Sequence, residues 1–131
     1  MKFPIHPITV HFPIAFYFLE LILLFIWFSK RDPQYLKFAS FVFKIAYVSM
    51  LIAIAAGFYD AGGFAGIEGG VRVHFFAAVS VFIVSTLRAL FWRFGKPEQN
   101  HYRASQMLFA LAGNILVAIT GYFGGLLVYG S

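Results

Sequence analysis

The chain has no cysteine and little charge, and each shortage excludes classes of protein. Without cysteine there can be no disulfide, thiolate metal site, iron–sulfur cluster, covalently attached c-type haem or cysteine nucleophile. Charged residues make up only 11% of the 131 residues, about half the share of an ordinary soluble domain. A chain with so little charge cannot cover its surface with polar groups in water.

Motifs of self-sufficient enzymes are also missing. The sequence contains no phosphate-binding or dinucleotide-binding glycine pattern, no nucleophile elbow and no His-Glu-x-x-His metalloprotease motif. Nothing in it indicates an independent enzyme with its own organic substrate. Any chemistry is therefore expected from a bound cofactor or from a complex that the chain joins.

Apolar residues are abundant instead, at 61% of the chain, and 18 of them are phenylalanine. A helix needs roughly 20 apolar residues to cross the bilayer core. Four segments meet this requirement: about 7–29, 36–59, 71–92 and 104–129. Because the connections between them are short, residues 1–131 are predicted to form a single all-α domain, an up-down bundle of four transmembrane helices.

The basic residues lie at the ends of the apolar segments, which argues against a nucleic-acid partner despite a net charge of +5. Cytoplasmic loops of membrane proteins retain Lys and Arg. The first and third loops hold six basic residues, Lys30, Arg31, Lys37, Arg93, Lys96 and Arg103, whereas the other side holds only Lys2 and Arg72. We therefore expect a plasma (inner) membrane protein with both termini extracytoplasmic.

The first helix contains a proline in its opening turns. Pro13 lacks a backbone N–H and clashes with the preceding turn. Two structures satisfy this constraint: either the helix kinks at Pro13, or it begins there and the segment from His6 to His11 forms a separate turn at the interface.

Two histidines lie at similar depth in helices that run the same way, His11 in the first and His74 in the third. These helices are diagonal in an up-down bundle, so the two imidazoles could meet as axial ligands of a haem iron or as ligands of a smaller metal ion. His6 and Asp60 lie near the same surface and could add ligands, hydrogen-bond to an imidazole or admit protons. The alternative is that these histidines only place polar tips among lipid headgroups.

Glu20 lies near the middle of the first span, where a carboxylate is costly. Arg88 is the candidate partner, because Glu20 lies roughly 14 Å below His11 and Arg88 roughly 21 Å below His74 at about 1.5 Å per residue. A structural ion pair is favoured over a proton relay.

The last helix is rich in glycine. Gly121 and Gly125 have a spacing that allows two helices to pack closely. Alternatively, Gly121 and Gly124 leave room for a flat cofactor beside His11 and His74.

Several of these features occur together in one known family. They are the opening segment 6–15 (HPITVHFPIA), Glu20, the Gly-x-x-Asp pattern 57–60, His74 and the closing segment 120–129 (TGYFGGLLVY). In these the chain resembles the membrane proteins of the domain of unknown function 2231 family (DUF2231). The resemblance covers nearly the whole chain and implies four spans, and motifs of this kind suggest a role with b-type haem or in an electron-transfer assembly.

Three functions follow from these patterns. The first is a small cytochrome b-like subunit that binds haem b near the extracytoplasmic leaflet, with a quinone or an extracytoplasmic electron carrier as its partner. The second is a cofactor-free accessory subunit that contacts lipid, pigment, other membrane subunits or further copies of itself. The third, metal or proton translocation, needs a polar path to the cytoplasmic side, for which the sequence offers few residues beyond Glu20 and Arg88.

Overall fold

The computed structural model describes residues 5–130, and no residue in that range lies in a β-strand. Its helices are α1 (His6–Thr9), α2 (His11–Lys30), α3 (Pro33–Asp60), α4 (Gly69–Phe94) and α5 (Asn100–Tyr129), with a short 3₁₀ helix at Gly63–Gly66. Four stretches are long and apolar enough to cross a membrane: His6–Lys30, which joins α1 and α2, and the whole of α3, α4 and α5. The prediction of an all-α protein with four spans is confirmed. Lys2, one of the charges used to predict the orientation, lies outside the described residues.

Helices α3, α4 and α5 begin two to four residues before the predicted positions, because their first turns contain residues that the apolar pattern does not include. The start of α3 illustrates the cause. Pro33 occupies the first turn, and the Asp32 carboxylate accepts a hydrogen bond of 2.9 Å from the backbone N–H of Gln34. A proline whose missing N–H is not needed and a capping aspartate both favour a helix start at this point.

The long helices pack as a bundle in which α2 lies along α3 and α5, and α4 lies along α5 with lighter contact to α3. This places α2 and α4 on a diagonal, parallel to each other. The histidine end of the bundle carries α1, the loop 61–68 and the last turns of α5. The basic end carries the two short connections 31–32 and 95–99.

The proline in the first span breaks the helix earlier than either alternative placed the break. The four-residue α1 ends at Thr9, Val10 intervenes, and α2 begins at His11. Pro13 has no N–H to donate to the carbonyl of Thr9, so the hydrogen-bond ladder is interrupted one turn before the proline. His6 therefore sits on a separate short helix, and His11 opens the long one.

Candidate cofactor-binding site

Three polar side-chain pairs connect the first span to α4 along the bundle axis. They are His6 with His74, Tyr17 with Ser85, and Glu20 with Arg88, and the partners are 68 residues apart in every pair. A constant offset arises because the two elements run parallel and in register. The first pair lies at the histidine end, and the other two lie in the middle of the bundle, about three to four turns deeper.

The imidazoles of His6 and His74 meet head-on. Their Nε2 atoms are 3.2 Å apart and their ring centroids 5.4 Å apart, with the ring planes at 70°. The centroids are thus 2.2 Å farther apart than the nitrogens. Five-membered rings reach a difference of this size only when the two nitrogen vertices point almost directly at each other.

The opposite nitrogen of each ring is held by a backbone carbonyl. His6 Nδ1 lies 2.7 Å from the Ala53 oxygen, and His74 Nδ1 lies 3.0 Å from the Thr120 oxygen. A carbonyl oxygen only accepts hydrogen bonds, so both Nδ1 atoms carry the proton and donate. Both Nε2 atoms are then left to direct lone pairs at each other. Two lone pairs at this distance repel, so the pair is arranged to share a positively charged species, either a proton or a metal ion.

A glycine makes room for each ring. Gly57 follows Ala53 by one helical turn, and Gly124 follows Thr120 by one turn. A methyl group on Gly57 would lie 2.8 Å from His6 Nδ1, and one on Gly124 would lie 3.0 Å from His74 Cε1. Each imidazole therefore reaches its carbonyl across a helix surface that has no side chain there.

Asp60 anchors α1 from outside. Its Oδ2 accepts a hydrogen bond of 2.8 Å from the backbone N–H of His6. The Gly-x-x-Asp pattern at the end of α3 is thus a docking surface for His6: Gly57 gives space to the ring and Asp60 binds the backbone.

The donor set and its direction fit a metal ion or a haem iron bound through two opposed imidazoles. Metal-bound histidines commonly donate their second ring N–H to a carbonyl, as both do here. With their Nε2 atoms 3.2 Å apart and directed at each other, the two rings would have to separate before both could hold a metal ion. A movement of His6 would stretch its hydrogen bonds to Asp60 and Ala53, although α1 has no buried residue to hold it further.

His11 lies exposed at the edge of the same site. It lines a cavity of about 270 Å³ that runs from His6 and His74 down to Tyr17. The imidazole that contacts His74 is that of His6, and ligation by His11 stays a prediction. Gly121 and Gly124 also line this cavity, although the space beside Gly124 is taken up by the His74 ring.

Glu20 and Arg88 form the ion pair that their depths predicted, and both side chains are fully buried. The two carboxylate oxygens each accept from a different guanidinium nitrogen, with 3.1 Å between Arg88 Nη1 and Glu20 Oε2. The guanidinium also lies 4.7 Å from the ring centre of Phe43. This two-point contact fixes α2 against α4 below the cavity.

Sequence reasoning missed two parts of this arrangement. Tyr17 and Ser85 are buried with their hydroxyl oxygens 2.7 Å apart, and the two backbone carbonyls leave no mark in the sequence. Within residues 5–130, no group of three or more His, Asp or Glu side chains is placed to bind a metal ion. A metal held here would depend on the two imidazoles and on ligands from elsewhere.

Replacing Gly57 by alanine is expected to displace His6. The added methyl overlaps Nδ1 of the ring and removes its hydrogen bond to Ala53, which costs about 1 kcal/mol. Hydrogen exchange of the α1 amides, followed by mass spectrometry, should accelerate about five-fold. Gly125→Ala is the matched control, because a methyl there meets no atom within 4 Å. Equal exchange in the two variants would show that Gly57 does not seat the imidazole.

The fold and the site together define a four-helix membrane protein with a partly buried imidazole pair at one end of its bundle. The chain belongs to the DUF2231 family, described as a predicted membrane protein, whose family model matches residues 2–131. No match was found among curated proteins or among solved structures.

Proposed function

We propose that the chain is a small cytochrome b-like membrane subunit, with a b-type haem held by His6 and His74 at the histidine end. The observation that carries the proposal is the head-on imidazole pair, in which each ring donates from Nδ1 to a backbone carbonyl and directs Nε2 toward the other ring. Haem irons in membrane bundles are held by imidazoles from facing helices, and carbonyl-bound histidines are preoriented for this role.

When bound, haem supplies one-electron transfer. The residues of this chain hold and shield the group. The carbonyls of Ala53 and Thr120 fix the ring orientations, and the mainly apolar wall of the adjoining cavity limits water. The lysine and arginine asymmetry supports an extracytoplasmic location for this end. A quinone or a partner subunit, and an extracytoplasmic carrier, are the proposed electron partners within a larger membrane complex.

The test is a reduced-minus-oxidised absorption spectrum of the protein purified from haem-replete cells. We expect b-type bands and about one haem per chain, measured after extraction of the haem. A preparation from such cells without a haem band would reject the proposal. The chain would then be an accessory subunit whose polar pairs are structural.

A second function, proton transfer, is favoured by the Nε2 separation of 3.2 Å, which suits a proton shared between two nitrogens. The hydroxyl pair of Tyr17 and Ser85 continues the polar groups toward the middle of the membrane. Vesicles that contain the protein should then dissipate a pH gradient faster than empty vesicles, and His74→Ala should abolish the difference. Equal proton flux through wild-type and His74→Ala vesicles would exclude this function.

A further inference from the structure

A second cavity lies at the basic end of the bundle, between the two short connections. Its volume is about 390 Å³, and it is lined by two arginines, Arg31 and Arg103, together with Trp27, Glu98 and two prolines. It lies at the opposite end of the bundle from the histidines and has no part in the proposed haem site.

The guanidinium of Arg103 is held in a fixed position. Its Nη2 donates a hydrogen bond of 2.6 Å to the Phe28 carbonyl, and its central carbon lies 5.4 Å from the ring centre of Trp27. Its Nε is buried and has no hydrogen-bond partner among residues 5–130. A guanidinium has five N–H donors, so this one retains donors for a ligand while its orientation is set by the protein.

Arg31 is the second arginine that lines the cavity. It ends α2 in the left-handed conformation, with φ of 57°, and its backbone N–H donates 2.8 Å to the Trp27 carbonyl. The neighbouring carboxylate, Asp32, is engaged with the N–H of Gln34. Among residues 5–130, the only ion pair with a nitrogen–oxygen distance within 4 Å is that of Glu20 and Arg88. Both cavity arginines are therefore without a carboxylate in contact.

Two arginines and one acidic residue, Glu98, thus line the cavity at a membrane interface. Basic pockets between transmembrane helices match the phosphate groups of anionic lipids, and guanidinium forks match phosphate oxygens. Leu36 and Pro33 give the cavity an apolar wall on the side of α3, which suits a ligand whose phosphate continues into glycerol and acyl chains. We propose that this cavity binds the phosphodiester headgroup of an anionic phospholipid.

The test compares lipid retention in nanodiscs made from equal parts of phosphatidylglycerol and phosphatidylcholine. After extraction into detergent, native mass spectrometry counts the lipids that stay bound. Wild-type protein should retain phosphatidylglycerol in preference to phosphatidylcholine. Arg31→Gln should weaken the retention of phosphatidylglycerol about five-fold, because one basic residue near an anionic surface has an effect of this size. Arg31→Lys keeps the charge and should restore most of it.

The matched control is Arg93→Gln, which removes an exposed arginine at the same end of the bundle that does not line the cavity. It should leave retention unchanged. Arg103→Gln should act like Arg31→Gln, and circular dichroism checks that each variant keeps its helices, because Arg103 also binds the end of α2.

The anion that binds the cavity comes either from a lipid headgroup or from free phosphate. A parallel series with added inorganic phosphate distinguishes these two sources. Displacement of phosphatidylglycerol by millimolar phosphate would show that the cavity recognises phosphate but takes a free anion as its ligand, which would overturn the lipid assignment. No displacement, together with preferential retention, supports the lipid. Equal losses in Arg31→Gln and Arg93→Gln, or equal retention of the two lipids, would overturn the proposal.

Discussion

Replacing Glu20 by leucine is expected to destabilise the bundle by about 3–5 kcal/mol, the usual cost of removing one partner from a buried ion pair. The remaining guanidinium of Arg88 cannot lose its charge. It would stay fully buried beside Phe43 with no carboxylate in contact. The measurement is the free energy of unfolding in mixed micelles of mild detergent and sodium dodecyl sulfate.

Arg88→Met should cost less than Glu20→Leu, because the carboxylate left behind can take up a proton and become neutral. The double variant Glu20→Leu/Arg88→Met should lie closer to wild type than either single variant, since it leaves no buried charge. Glu68→Gln is the control, because it removes an exposed carboxylate. Single variants that each cost under about 1 kcal/mol would contradict this account of the pair.

The pair matters for the candidate site through the register of the helices. Tyr17 and Ser85 lie one turn from Glu20 and Arg88 toward the histidine end, on the same two helices. An anchor that fixes α2 against α4 at this depth also determines which residues face each other farther along. The imidazole pair follows the same offset, so the arrangement at the surface depends on charges buried in the middle of the bundle.

The four spans and the Glu20–Arg88 contact could be predicted from the sequence, because apolar length and helical rise are sufficient for both. The spacing of residues along the helices also indicated the contact between His6 and His74, which the prediction missed. Glu20 and Arg88 are 68 residues apart, and the same offset applied to His74 leads to His6. The prediction used His11 instead, because His6 lay outside the predicted span 7–29, and a separate turn carrying His6 was only one of the two alternatives for the start of the first helix.

Other parts of the site could not be predicted from the sequence. The glycines at positions 57 and 124 indicate free space, but the pattern does not tell whether a cofactor or a neighbouring side chain fills it. In the structure both spaces are occupied by imidazoles. The hydrogen bonds that orient those rings end on the carbonyls of Ala53 and Thr120, and every residue has a carbonyl, so no residue type marks them.

Variants of the three histidines at this end should separate the two ligand assignments. His74→Ala and His6→Ala are each expected to abolish the b-type band, because either change removes one of the two opposed imidazoles whose Nε2 would bind the iron. His11→Ala should keep the band, since His11 is exposed and the cavity retains the other two imidazoles. The measurement is haem per chain, from the absorption spectrum and the protein concentration.

The outcome for His11 carries the most information. If His11→Ala loses haem while His6→Ala keeps it, the iron is held by His11 and His74 as the sequence spacing predicted, and the contact between His6 and His74 belongs to the cofactor-free state. If all three variants keep haem, the group binds elsewhere and the imidazole pair has another use. His6→Ala also removes the contacts of α1 with Ala53 and His74. Imidazole added to that variant should therefore restore the band if ligation is the only property lost, whereas a misfolded histidine end would not recover.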